Sequence, residues 1–260
     1  MGMSETIKVG VLGAAGRMGE SVCAAVEADP ALTLIAAFDP NGAGASTAQG
    51  ITIHVDLDAF LAEGPDVVVD FTVAEATRQN LPRVAAAGIH AVVGTTGFTD
   101  DDMASFEAAF TSSNLLIAAN FAISAVLMMR FAELAAPFFD TGEVIELHHD
   151  NKIDAPSGTA VATADRMAAA STEWAPDPTE HEVYPGARGG KGPAGIRVHS
   201  VRMRGMVAHQ EVILGALGQS LTIRQDSYDR SSFMPGVVLG CKRIGDLPGV
   251  TSGLDAILDI

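Results

Sequence analysis

The chain has 260 residues and a formal net charge of −16, so it lacks the basic face that sequence-independent nucleic-acid binding needs. Hydrophobic residues make up 48% of it but aromatics only 5%, a balance that suits helices packed on a sheet better than a β-sandwich. No apolar run reaches the ~20 residues of a membrane span, and a strand begins within about six residues of the start, too soon for a signal peptide.

Ile7-Lys-Val-Gly-Val-Leu12 reads as a buried strand and runs at once into Gly13-Ala-Ala-Gly-Arg-Met-Gly19. A helix over 17–28 follows, then a second buried strand over 32–38 closed by Asp39. Strand, glycine turn, helix and strand together predict a Rossmann-like dinucleotide site. The glycines let the backbone approach a pyrophosphate, which rests on the helix N-terminus. Gly13, Ala14, Ala15, Gly16, Arg17 and Met18 are the expected contacts. Asp39 lies about 20 residues past the last glycine, where a carboxylate accepts hydrogen bonds from the adenosine ribose and repels a 2′-phosphate. NADH is therefore expected to serve well, and Arg17 leaves room for NADPH. Cys23, in this first helix, and the distant Cys241 have apolar helical neighbours and no metal-ligand spacing. Both read as buried, reduced thiols of a cytoplasmic protein.

The alternation continues with a short strand over 51–55, a short helix over 57–63 and a buried strand over 65–72. A helix over 74–87, a strand over 90–93, a helix near 100–110 and a strand over 114–120 complete a doubly wound parallel α/β pattern. Each strand ends in small or polar residues: Gly13, Asp39, Thr72, Gly94 to Thr96, Asn120. In an open parallel sheet those carboxyl ends form the ligand crevice. After an apolar helical run over 123–139 the pattern changes. Polar–apolar alternation over 143–149, 195–203, 210–217 and 220–225 predicts a mixed or mostly antiparallel sheet in an α+β region. Tyr184 to Gly195 reads as a mobile loop; its glycine-to-lysine spacing is one short of a P-loop and no Ser or Thr follows Lys191. A helix over 233–244 and the segment 254–260 either extend this second region or return to the first.

Chemistry concentrates in Glu146-Leu-His-His-Asp-Asn-Lys-Ile-Asp-Ala-Pro-Ser-Gly-Thr159. It links the end of a strand to a helix over 159–170, with Ser157 as N-cap. Outward N–H groups at Gly158 and Thr159 suit a carboxylate. His148, His149 and Lys152 add donors and a transferable proton, so the segment is suited to proton delivery beside a bound anion. Adjacent strand residues point to opposite faces, which makes His148 and His149 a poor chelate; no metal is expected. His54, His90, His181, His199 and His209 are read as structural or surface residues.

Glu143 through Ala160 closely resembles the signature of the 4-hydroxy-tetrahydrodipicolinate reductase (dihydrodipicolinate reductase) family. The similarity extends over nearly the whole chain, through Gly13–Gly19, Asp70-Phe-Thr72, Gly94-Thr-Thr-Gly97, Ala118-Ala-Asn-Phe121 and Asp229-Arg-Ser-Ser-Phe-Met-Pro-Gly236. The resemblance implies NAD(P)H-dependent reduction of a cyclic unsaturated dicarboxylate in diaminopimelate and lysine biosynthesis. It implies His148 as acid/base residue and Lys152 as proton donor. His149, Lys152, Ser157, Gly158 and Thr159 would hold substrate, and Gly94, Thr95, Thr96, Ala118, Ala119, Asn120 and Phe121 would line the nicotinamide side. It also implies a homotetramer joined through the second domain's sheet. The last segment would rejoin the nucleotide domain, giving 1–121 with 229–260 as that domain and 122–228 as the substrate-binding and oligomerisation domain. Gln225, Gln219 and Ala208 depart from the family pattern, where many relatives carry His, Glu and Gly. They bear on subunit contacts or supporting hydrogen bonds rather than on the reaction.

The residue chemistry agrees with what the resemblance implies. Hydride addition to a conjugated C=C–C=N system leaves negative charge to be quenched by a proton, which a lysine and a histidine beside a bound carboxylate can supply. Two rival readings use the same cofactor motif: another NAD(P)-dependent amino- or keto-acid dehydrogenase, and a non-catalytic NAD(P)-binding redox sensor. Loss of the His148/Lys152 pair would mark the sensor, and both residues are present.

Overall fold

The computed structural model describes residues 6–260, which divide into two compact units: the chain up to Phe121 with Arg230–Ile260, and Ala122–Asp229. The first unit alternates strand and helix: β1 (Ile7–Leu12), α1 (Arg17–Ala28), β2 (Leu32–Phe38), β3 (Ile53–His54), α2 (Leu57–Ala62), β4 (Val67–Asp70), α3 (Ala74–Ala86), β5 (His90–Val93), α4 (Asp100–Ala109) and β6 (Leu115–Ile117). The second unit holds α5 (Ile123–Ala135), β7 (Thr141–His148), α6 (Gly158–Ala170), β8 (Gly190–Lys191), β9 (Arg197–Arg202), β10 (Ala208–Ala216) and β11 (Gln219–Ser227). The chain then rejoins the first unit through α7 (Met234–Arg243), β12 (Val250–Ser252) and α8 (Asp255–Leu258).

The first sheet is parallel throughout, in the order β12-β6-β5-β4-β1-β2-β3. Its central strands are apolar on both faces: Val9, Val11, Val67 to Val69 and Ala91 to Val93 are at most 1% exposed. That explains why their sequences run continuously apolar instead of alternating. Side chains of α2, α3 and α4 join one core with the sheet, while α1 and α7 pack together beside it. The strand order reverses beside β1, so the ends of β1 and β4 border the crevice where such sheets bind ligands. The sequence gives no sign of β12, a three-residue strand that adds to the β6 edge.

The second sheet is mixed, in the order β11-β10-β7-β9-β8; β7 runs antiparallel to β10 and parallel to β9. Helices α5 and α6 cover one face. Alternation places Val144, Glu146 and His148 of β7 on that face, and Glu143, Ile145 and Leu147 on the other. On the covered face, Val198, Val144 and Val212 form an apolar cross-strand row. Nearer the end of β7 the rows turn polar: Ser200, Glu146, Gln210 and Gln225, then Arg202, His148, Ala208 and Ser227. Gln210 donates to Thr163 Oγ1 at 2.7 Å and Gln225 to Ser227 Oγ at 2.7 Å, so both amides serve the interior of this polar end.

Where the sequence predicts a mobile loop, the chain is fastened to the sheet. Gly190 and Lys191 pair with β9 as an edge strand, and Arg188 reaches Glu143 at 2.5 Å. Glu182 accepts hydrogen bonds from the backbone N–H groups of Gly186 and Arg188.

Candidate functional site

The nucleotide side begins at the turn after β1. Gly13 has φ +76°, a conformation that L side chains resist. A Cβ on Gly19 would meet the Gly13 carbonyl oxygen at 2.1 Å, so α1 lies against the turn only because that position has no side chain. The N–H groups of Gly13 and Ala14 donate to the Phe38 carbonyl at 2.8 and 3.0 Å, which pins the turn to the end of β2. Gly16 caps α1 without any side-chain hydrogen bond. The first-turn N–H groups of a helix have no acceptor within the helix, and here no cap side chain competes for them. The turn thus fits a pyrophosphate, and Arg17 and Met18 open the helix.

Asp39 has a second task that sequence reasoning missed. Its Oδ2 accepts from the Ala15 N–H at 3.2 Å and its Oδ1 from the Asn41 N–H at 2.9 Å. The residue expected to bind ribose also ties the glycine turn to β2. At the ends of β4 and β5, Asp70 is fully buried, and its Oδ1 accepts from the Thr72 N–H, the Thr72 hydroxyl and the Thr95 hydroxyl at 2.8, 2.7 and 3.3 Å. Burial pushes the Asp70 carboxyl above the usual range, against the pull of these donors. Thr95 turns its hydroxyl inward to this carboxyl, whereas Thr96 is exposed. Gly94 lies under the Phe71 ring, where a Cβ would come within 2.0 Å of the ring edge. Ala118 is buried, Ala119 exposed and Asn120 half-buried. Phe121 is a core side chain, 1% exposed and packed on Phe71 with ring centroids 5.5 Å apart.

In the second unit, β7 delivers His148 at its last position, and the loop to α6 brings Lys152 within electrostatic reach of it. The charges of Lys152, Arg202 and Glu146 all act on the His148 ring. Lys152 Nζ sits on both Asp154 carboxylate oxygens at 2.8 Å. His149 is exposed one residue past the strand. The Ala155–Pro156 peptide is cis, and Ser157 then caps α6, its buried Oγ accepting from the Ala160 N–H at 3.2 Å. The Ser157 side chain is thus committed to the turn. A Cβ on Gly158 would meet nothing within 4 Å, so there is open space beside the first residue of α6.

Two residues essential to this cluster were not singled out from the sequence. Glu146 is 0% exposed. Its Oε2 accepts from His148 Nδ1 at 2.5 Å and Arg202 Nη1 at 2.8 Å, and its Oε1 from Arg202 Nη2 at 2.8 Å and the Ser157 N–H at 3.1 Å. Burial works to raise the Glu146 pKa, but donors from Arg202, Ser200 and His148 win and hold it down to about 2. Burial also lowers the pKa of His148, with Glu146 opposing that fall and Lys152 and Arg202 adding to it. Glu146 carries one available signal, a carboxylate on the inward face of a strand. Arg202 carries none, because its place beside His148 depends on the β7–β9 register. Three further histidines are held elsewhere. His199 Nε2 meets Glu143 at 2.6 Å, His209 lies between Asp226 and the Val207 N–H, and His90 Nδ1 accepts from the Asn114 N–H. Among the described residues, no His, Cys, Asp and Glu side chains are grouped to hold a metal ion.

A parallel doubly wound sheet with a glycine turn that fits a phosphate, joined in sequence to a unit that gathers an imidazole, an ammonium and a helix N-terminus, is the arrangement expected of a nicotinamide-dependent reductase. Residues 7–121 match the family model described as dihydrodipicolinate reductase, N-terminus, and residues 124–258 match that described as dihydrodipicolinate reductase, C-terminus. The chain is 51% identical over 262 aligned positions to a 4-hydroxy-tetrahydrodipicolinate reductase of Nocardia farcinica, covering 98% of this chain and 100% of that one. It is 46% identical to the Streptomyces coelicolor enzyme of the same name, covering 98% of each. Among solved structures, a dipicolinate-bound dihydrodipicolinate reductase from Paenisporosarcina sp. TG-14 superposes with TM-score 0.87 at 34% identity, over 97% of this chain and 99% of that one. GenD2 of gentamicin A biosynthesis, in complex with NAD, shares the fold at TM-score 0.66 and 15% identity, over 99% of this chain and 92% of that one. The chain belongs to the dihydrodipicolinate reductase family, NAD(P)H-dependent oxidoreductases of lysine and diaminopimelate biosynthesis.

Proposed function

We propose that, in reducing 4-hydroxy-tetrahydrodipicolinate by way of dihydrodipicolinate to tetrahydrodipicolinate, this chain manages the proton with Lys152 and His148 and holds a substrate carboxylate at the start of α6. The observation that carries the reading is the convergence of these groups at one end of β7: an ammonium, an imidazole and an open helix N-terminus. When bound, the dihydronicotinamide supplies the hydride. Gly158 and Thr159 present backbone N–H groups to one carboxylate, and exposed His149 adds a donor. Lys152 exchanges its partner Asp154 for the anionic substrate and delivers the proton that quenches the reduced ring. His148 keeps its Nδ1 on Glu146, which leaves Nε2 to gain and lose protons. Dipicolinate, the ligand of the Paenisporosarcina enzyme, is a planar ring bearing two carboxylates, which supports a cyclic dicarboxylate as ligand here.

On the nucleotide side, Gly13 to Met18 receive the pyrophosphate, and the ends of β5 and β6, Gly94 to Thr96 and Ala118 to Phe121, border the nicotinamide. Asp39 favours the unphosphorylated ribose, so NADH is used at least as well as NADPH. The open face of the second sheet joins subunits into a homotetramer, because half-buried Ile145, Leu147, Val201 and Ile213 form its apolar centre. A solution mass near that of one 26.8 kDa chain would end that proposal. Among the described residues no helix is long and apolar enough to cross a membrane. The thiols Cys23 and Cys241, buried and pushed up to about 12, suit the reducing cytoplasm.

The deciding assay follows oxidation of NADH and of NADPH with freshly condensed pyruvate and aspartate semialdehyde. Lys152→Ala is expected to lower kcat by about 10²-fold or more while leaving the cofactor Kd nearly unchanged. Equal losses in turnover and cofactor binding would remove Lys152 from the proton path.

A further inference from the structure

Resting on the reading that His148 exchanges a proton, we infer that Glu146 is a positioning residue that fixes the His148 tautomer and, through Arg202, locks the 149–157 loop to the strand that bears the imidazole. The carboxylate is fully buried, and its donors come from three separate parts of the chain: β7 through His148, β9 through Arg202, and the start of α6 through Ser157. Arg202 Nη2 also donates to the Asp154 carbonyl at 2.6 Å, so one guanidinium spans the carboxylate and the loop that carries Lys152.

A carboxylate ionised at neutral pH has no hydrogen to give. The His148 Nδ1 at 2.5 Å must therefore carry one, in the neutral ring as well as in the imidazolium. Proton exchange is confined to Nε2. The groups facing the ring are Glu146 on its own strand, Arg202 from β9, Lys152 from the loop with Asp154 behind it, and the uncharged Ala208 in register on β10. Glu146 is the only one of these whose charge raises the imidazole's proton affinity directly; Lys152 and Arg202 lower it. With Glu146 neutralised, the His148 pKa falls further, and the activity limb set by His148 moves to lower pH. A Gln at this position offers one acceptor oxygen where the donors of His148, Arg202 and Ser157 now share two, and turns an NH2 toward the rest.

The test combines imidazole ¹⁵N NMR with a pH–rate profile. In the unmodified protein, neutral His148 is expected to show a protonated Nδ1 and an unprotonated Nε2. Glu146→Gln is expected to mix the tautomers, lower kcat on the order of 10²-fold and shift the His148 limb toward acid, with a much smaller change in the cofactor KM. Glu146→Asp, which keeps the charge, should recover part of the loss. An Nε2–H tautomer in the unmodified protein overturns the inference, and that spectrum decides the matter even if Glu146→Gln does not fold. An unmoved limb in a folded Glu146→Gln protein overturns it as well. His148→Gln separates the two claims: undiminished turnover there would defeat the proton-exchange reading, while the tautomer still judges Glu146.

Discussion

Glu143 and Glu146 lie on the same strand, β7, and each accepts hydrogen bonds from one arginine and one histidine. Glu143 receives Arg188 at 2.5 Å and His199 at 2.6 Å; Glu146 receives Arg202 at 2.8 Å through both oxygens and His148 at 2.5 Å. The strand's alternation separates them. The Glu143 side chain is 33% exposed on the open face, whereas that of Glu146 is 0% exposed under α6. Their donors also lead to different places. Arg188 approaches Asp177 at 3.6 Å and fastens the segment before β8, while Arg202 reaches the loop that carries Lys152. An Arg–His–carboxylate set therefore does not by itself mark a site. Complete burial, and a tie to the backbone turn at the start of α6, distinguish the Glu146 set from the Glu143 set.

Removing each arginine in turn separates the two carboxylates most strongly. Arg202→Met leaves a buried carboxylate short of its bidentate partner, and breaking a buried pair costs about 3–5 kcal/mol. Arg188→Met removes a partly solvated pair and is expected to cost less than about 1 kcal/mol. Urea unfolding of the two variants measures both, and equal losses would erase the distinction. Acid unfolding tests the same contrast more gently. The folded Glu146 pKa, about 2, lies below the ordinary 4.5, so this group stabilises the fold above about pH 4.5. That stability is lost as pH falls toward 2. Glu143 is also held low, by Arg188 and His199 against the opposing effect of burial. Glu146→Gln should flatten the stability–pH slope between pH 5 and 2 far more than Glu143→Gln, as read by circular dichroism.

Much of this was legible from residue order. The first unit declares itself through continuous apolar strands punctuated by Gly13, Asp39 and Gly94, because parallel strands are buried on both faces. The cluster of His148, Lys152 and the Ser157–Thr159 turn is dense enough in polar types to stand out from any strand or helix. What escaped depends on contacts distant in sequence. Arg202 meets His148 only through the β7–β9 register, and β12 is three residues that hold their shape by adding to β6. β8 is a Gly-Lys pair whose strand character comes from β9 and the neighbouring ionic ties. The sequence shows the ligand chemistry of Asp39, while its hydrogen bond to the Ala15 N–H exists only once the turn is folded. Lys152 reads as a free ammonium in the sequence, and only the folded loop brings Asp154 onto it.

The smallest effect belongs to His199. Its Nε2 lies 2.6 Å from Glu143, a carboxylate that Arg188 already serves at 2.5 Å. His199→Gln keeps a donor of similar reach, so the change in unfolding free energy should stay within about 0.5 kcal/mol. Because Glu143 points away from the His148 face, kcat and its pH profile should not move. The measurement pairs a unfolding curve with the pH–rate profile of the folded variant. A shifted profile would mean that the two faces of β7 are electrically coupled through the strand. Glu143 and Glu146 would then be one extended network, and the difference in burial would no longer explain why only one of them serves the site.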